Sequence, residues 1–67
     1  MDRLHELEVF VAVADAGSFA KAGNRLRLSP PAVTRAISAL EDRLGARVFN
    51  RTTRSLTITD VGQRFLE

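Results

Sequence analysis

Thr34, Arg35 and Ser38 fall within five residues, directly behind two adjacent prolines, Pro30 and Pro31. Together they offer a planar guanidinium with several N–H donors and two hydroxyls that both donate and accept. That set suits phosphate oxygens and the edges of nucleic-acid bases. An arginine can bond O6 and N7 of one guanine together, and a rigid proline surface can meet a thymine methyl. Chemistry of other kinds lacks its residues. There is no cysteine, and the single histidine, His5, has no carboxylate pair at ligand spacing beside it, so a metal finds no ligand set. With no nucleophile–base pair and no glycine-rich phosphate loop, no catalytic residue, metal or cofactor is predicted.

The three polar residues need a rigid element to aim them, and the surrounding pattern supplies one. Ser29 is a natural N-cap for a helix over 30–44 that Gly45 ends. The first N–H groups of a helix have no partner within it, so Pro30 and Pro31 open this helix instead of breaking it. At 100° per residue, Val33, Ile37, Leu40 and Leu44 cluster within about 60° and form the predicted core stripe. Pro31, Arg35, Ser38 and Asp42 lie roughly opposite, with Thr34 at the edge. The leading end of that outer face is slim and polar, as an element entering a major groove requires.

Two helices precede it. Over 3–16, Leu7, Phe10, Val11 and Ala14 follow the i, i+3, i+4, i+7 rule, and Val9 and Val13 widen the apolar face. The extra valines are expected to dock the last helix or its copy in a partner, against Phe65 and Leu66. Ser18 caps a short helix over 19–27 with Phe19, Ala22 and Leu26 inward; Gly23, costly in a helix by about 1 kcal/mol, marks a close crossing. After Gly45 the period becomes two. Strands over 47–51 and 55–59 are predicted to form a hairpin with a polar tip carrying Arg51 and Arg54. Thr59 or Asp60 then caps a final helix whose pattern stops at Glu67 before two turns are complete, which predicts a piece of a longer protein.

The order helix, helix, short turn, helix, hairpin predicts a mainly α fold, a winged helix-turn-helix. It has a three-helix core and a β-hairpin wing, with the DNA-binding domain over 1–58 and the start of a further helix over 59–67, which the family resemblance given below identifies as the start of a linker helix. Phe10, Phe19 and Phe49 read as core, not as stacking platforms for single strands. Ser18, Lys21 and Ser29 sit near helix N-termini, where phosphates are expected. Arg51 and Arg54 are placed to reach an adjacent minor groove.

Charge points the same way. Residues 1–17 set one arginine against four acidic residues, whereas residues 18–54 set eight basic residues, seven of them arginine, against two acidic ones. The positive excess therefore coincides with the segment that holds the candidate contacts. No apolar run approaches the roughly 20 residues of a membrane span, and the N-terminus lacks a signal-peptide layout. A cytoplasmic, nucleoid-associated protein with no membrane partner is expected. A winged helix that binds protein would carry aromatic or aliphatic anchors on the outer face of 30–44; this face has none.

The run "GSFAKAGNRLRLSPPAVTRAISALEDRLG" followed by "VFNRTTRSLTITDVG" resembles the N-terminal DNA-binding domain of LysR-type transcriptional regulators, and the likeness covers nearly the whole chain. The resemblance implies a bacterial transcription factor that binds interrupted palindromes in double-stranded DNA as a homodimer or tetramer. It also implies a long linker helix leading to a sensor domain for a small-molecule effector, a domain not present here. By position, family DNA contacts fall on Ser18, Pro30, Pro31, Thr34, Arg35, Ser38 and Arg51. Many members carry Gln where this chain has Pro30, which offers apolar contact in place of a base-edge hydrogen bond.

Overall fold

A computed structural model describes residues 3–51 and 56–66, with the backbone alone at Arg51. Four helices and one hairpin follow in the order α1 (Arg3–Ala16), α2 (Phe19–Leu26), α3 (Pro30–Leu44), β1 (Phe49–Arg51), β2 (Leu56–Ile58) and α4 (Asp60–Leu66). The winged helix-turn-helix architecture is the one expected. No described helix is long and apolar enough to cross a membrane.

Helix boundaries follow from their caps. Ser18 and Ser29 are both extended, and their hydroxyls accept from Lys21 N at 3.3 Å and Ala32 N at 3.4 Å. α2 ends at Leu26, one residue before the expected end. Arg27 has φ 59 and ψ 42, a left-handed conformation that closes a helix. The Arg27 N–H then bonds Asn24 O at 3.4 Å and the Leu28 N–H bonds Gly23 O at 2.8 Å. α3 closes in a related way, with Gly45 N and Ala46 N both on Glu41 O at 2.9 and 3.3 Å. The close approach expected at Gly23 is present. A Cβ there would stand 2.9 Å from Leu28 O and 3.3 Å from a Val33 methyl, so the turn and α3 both pack on bare backbone.

The core is formed by Val9, Phe10, Ala12 and Val13 of α1, Ala22 of α2, Val33, Ala36, Ile37 and Leu40 of α3, and Val48 and Phe49 leading into the wing. Phe49 joins the rings, 5.4 Å from Phe10 and 6.1 Å from Phe19 between centroids. Phe65 of α4 meets Phe10 edge-on at 5.5 Å.

The buried face of α1 differs from the expected stripe. Of Leu7, Phe10, Val11 and Ala14, only Phe10 is fully buried, while Val9 and Val13 have no exposure at all. Val9 and Val13 are therefore not a spare face for a partner. Leu4, Leu7 and Val11 are exposed apolar residues of α1, and with Leu66 they line a groove of ≈ 700 Å³. Leu44, placed in the core stripe of α3, is 38% exposed in the last turn, where it lines an open cavity with Arg3, Leu7 and Phe65. The hairpin ladder is also shorter than expected. Its antiparallel register pairs Phe49 with Ile58, Asn50 with Thr57 and Arg51 with Leu56. Val48 stays out of the ladder because its N–H bonds the Glu41 carboxylate. Ser55 lies outside the described residues.

Candidate nucleic-acid interface

The best-defined candidate surface is the outer face of α3. Its first turn is held by Ser29, whose carbonyl accepts from Ala32 N at 3.0 Å and Val33 N at 3.2 Å. Pro30 and Pro31 occupy the first two helical positions, where no intrahelical N–H bond is lost. Behind them Val33, Ala36 and Ile37 have no exposure and anchor the helix, while Pro30, Pro31, Thr34, Arg35 and Ser38 are all exposed. The base-facing candidates thus share one accessible surface on a rigid support. The arrangement can present a guanidinium, two hydroxyls and a compact apolar leading end to a groove.

The phosphate candidates are divided between helix starts. Ser29 is exposed beside Pro30, and Lys21 is exposed in the first turn of α2. Ser18 is half-buried and its oxygen accepts the Lys21 N–H; its own hydroxyl proton is left to donate. On the wing, Arg51 pairs with Leu56 through the backbone. Its side chain and the whole of Arg54 lie outside the described residues.

Ion pairs sharpen the charge map. Two arginines of the basic segment are engaged by acids of α1: Arg25 by Asp15 at 2.8 Å and Arg43 by Glu6 at 3.4 Å. Lys21, Arg27, Arg35 and Arg47 make no ion pair with a described residue. The positive charge left unpaired therefore includes Arg35 at the centre of the candidate face and Lys21 at the start of α2.

Two acids carry structural roles that sequence reading missed. Glu6 is 1% exposed, inside the core arc of α1. Its ion pair with Arg43 lacks hydrogen-bond geometry, and neither carboxylate oxygen has a hydrogen-bond partner among the described residues. Glu41 accepts from Val48 N at 2.9 Å and from Phe49 N at 3.5 Å, tying the last full turn of α3 to the start of the wing. The available signal was its position: Glu41 follows the core residue Ile37 by one helical turn and so flanks the buried stripe.

Comparison with known proteins agrees with this geometry. Residues 4–63 match the model of the bacterial regulatory helix-turn-helix proteins of the lysR family. The HTH-type transcriptional regulator TfdT of Cupriavidus pinatubonensis is 45% identical over 64 residues, which cover 96% of this chain and 28% of that protein. A structure of the CbnR_DBD–DNA complex superposes with a TM-score of 0.91 at 41% identity, covering 98% of this chain and 75% of that one. The oxidized form of Corynebacterium glutamicum OxyR gives a TM-score of 0.92 at 33% identity, covering 98% of this chain and 20% of that one. The chain spans under a third of TfdT and a fifth of OxyR.

Proposed function

The chain belongs to the lysR family of bacterial regulatory helix-turn-helix proteins, and from that premise we propose that it is the DNA-reading part of a transcription regulator. α3 lies in the major groove of double-stranded DNA, with Thr34, Arg35 and Ser38 toward base edges and Pro30 and Pro31 in apolar contact. Ser18, Lys21 and Ser29 hold phosphates, and Arg51 and Arg54 of the wing reach the neighbouring minor groove. The domain performs no catalytic step and works in the cytoplasm. Two copies read two half-sites in the full-length homodimer or tetramer, whose effector is bound by another domain.

The observation that carries this reading is the split of α3 into two faces. Val33, Ala36 and Ile37 are fully buried while Thr34, Arg35 and Ser38 are exposed. The DNA complex of a relative 41% identical over 98% of this chain supports it.

The test is selection of duplexes from a randomised pool by the wild type and Arg35→Ala, at two salt concentrations. The wild type selects related sequences with a steep salt dependence. Arg35→Ala loses about 1–3 kcal/mol of binding and relaxes preference at one position. Equal affinity and equal selection by both proteins would sink the assignment of α3 as the reading helix.

A further inference from the structure

We infer that Glu41 and Thr59 are positioning residues: together they lock the wing and α4 to the reading helix through one continuous hydrogen-bonded joint. The inference rests on the DNA-binding reading above, since it concerns how two of its contact elements are held at a fixed angle.

The joint runs from α3 outward. The Glu41 Oε2 atom accepts the Val48 N–H at 2.9 Å and, at 3.5 Å, that of Phe49. Val48 has no exposure and Phe49 is 2% exposed, so in the folded chain the Val48 amide depends on the carboxylate for its partner. The Val48 carbonyl in turn accepts the Thr59 N–H at 3.0 Å. The Thr59 hydroxyl donates to Arg47 O at 2.6 Å and accepts the Gly62 N–H at 3.0 Å. Thr59 O receives Gln63 N at 2.8 Å, which completes the first turn of α4. One threonine thus caps α4 and grips the segment that leads into the wing.

Packing confirms that this contact is tight. Gly62 is buried, and a Cβ on it would strike Val48 O and come within 2.8 Å of Ile58 Cγ1. α4 therefore seats directly on the carbonyl whose own residue is held by Glu41. The ladder between β1 and β2 has three residue pairs, and a two-stranded hairpin of that size has little rigidity of its own. Its direction relative to α3 is set at its base. A carboxylate on a backbone N–H is among the stronger hydrogen bonds available for that purpose.

Four variants separate the acceptor from the charge. Glu41→Ala removes both; Glu41→Gln removes the charge and keeps an acceptor. Thr59→Val keeps the shape and loses the hydroxyl; Thr59→Ser keeps the hydroxyl. Losing an acid raises affinity for every duplex alike, and Ala and Gln share that gain, so their difference reports geometry. Amide exchange in the free protein and base preference from a randomised duplex pool are measured for each. In Glu41→Ala and Thr59→Val the Val48 amide exchanges on the order of tenfold faster. Preference at the flanking positions under the wing flattens while preference under α3 is kept. Gln and Ser restore most of both.

An unchanged flanking profile in Glu41→Ala and Thr59→Val overturns the inference, as does an equal loss at all positions. Should Glu41→Ala fail to fold, Thr59→Val against Thr59→Ser decides by the same criteria. A wild type that binds no duplex even at low salt overturns the DNA reading itself. The exchange rates then judge the joint separately: unaltered protection of Val48 would remove it too.

Discussion

Helices α1 and α3 are both rich in apolar residues, yet they use them differently. α3 buries Val33, Ala36, Ile37 and Leu40 and turns Thr34, Arg35, Ser38 and Asp42 to solvent. α1 buries Val9, Phe10, Ala12 and Val13 and still turns Leu4, Leu7 and Val11 outward. A helix with one apolar face has one way to lie on a core, so its polar face is fixed as well. With apolar residues on both sides, local pattern leaves the choice to tertiary packing. In α1 that choice also draws an acid, Glu6, into the interior, where Arg43 of α3 meets it. The two helices are thus coupled: α3 answers the burial problem that α1 creates.

The largest test of this contrast is a pair of charges on α1. Val13→Asp puts an unpaired carboxylate into a site with no exposure and should cost about 4 kcal/mol or more. A domain of this size has roughly 3–10 kcal/mol of stability in all, so the variant should lose a large part of it, seen by circular dichroism as a strongly lowered urea midpoint. Val11→Asp, at a position 51% exposed, should stay within about 0.5 kcal/mol of wild type in a urea titration. Similar losses in the two variants would break the assignment of faces. Next in size is Arg43→Ala. Removing one partner of a buried pair strands the other charge; with Arg43 41% exposed and solvent able to help, about 1–3 kcal/mol is expected. Glu6→Met should match or exceed wild type in denaturation midpoint, because the apolar side chain needs no partner. If Glu6→Met is instead the less stable of the two, the ion pair is a net stabiliser.

These same residues show how far local sequence specifies the fold and the site. The start and stop of α3 are legible in the sequence because caps act locally: Ser29, two prolines and Gly45 each work within one turn of the helix end. Its outer face is legible because its neighbours in sequence are unambiguous. Spacing alone misplaces the buried face of α1, because Leu7, Phe10, Val11 and Ala14 satisfy the helical period as well as the true buried set does; only Phe10 belongs to both. Glu6 and Arg43 stand 37 residues apart in sequence, and no local pattern links them. The wing is legible in the change of period, but its strands are shorter than that pattern predicts. Val48 has the side chain of a strand residue, yet its N–H is claimed by Glu41 of the preceding helix, a contact that only the folded chain brings about. Among the site candidates, the α3 face is legible as a group, whereas the Glu41–Thr59 joint is not.

A smaller effect is expected at the cap of α3. Ser29→Ala removes the hydroxyl that accepts Ala32 N and should cost about 1 kcal/mol. Ser29→Asp should recover the stability, as aspartate caps equally well, while placing a negative charge where a phosphate is expected. Stability and DNA affinity should therefore separate in Ser29→Asp: the first near wild type, the second reduced. If both recover together, Ser29 is a cap without a phosphate.

The smallest expected change in stability bears most directly on what the polar face of α3 is proposed to read. Pro30 is the first residue of the helix and exposed, and its missing N–H deprives the helix of no bond. Pro30→Gln should therefore leave the denaturation midpoint within about 0.5 kcal/mol of wild type. Its effect should fall on selection. Proline offers a base only apolar surface, whereas glutamine can bond N6 and N7 of an adenine, a contact that discriminates by about 1–3 kcal/mol. Duplex selection by Pro30→Gln should consequently gain a preference at a single position beside those proposed for Arg35, with the remaining profile intact. A profile identical to wild type would place Pro30 outside the groove and move the reading end of α3 one turn inward, to Thr34 and Arg35. A change spread over several positions would mean that the two prolines set the path of the helix itself, and that its leading end is a structural element before it is a reader.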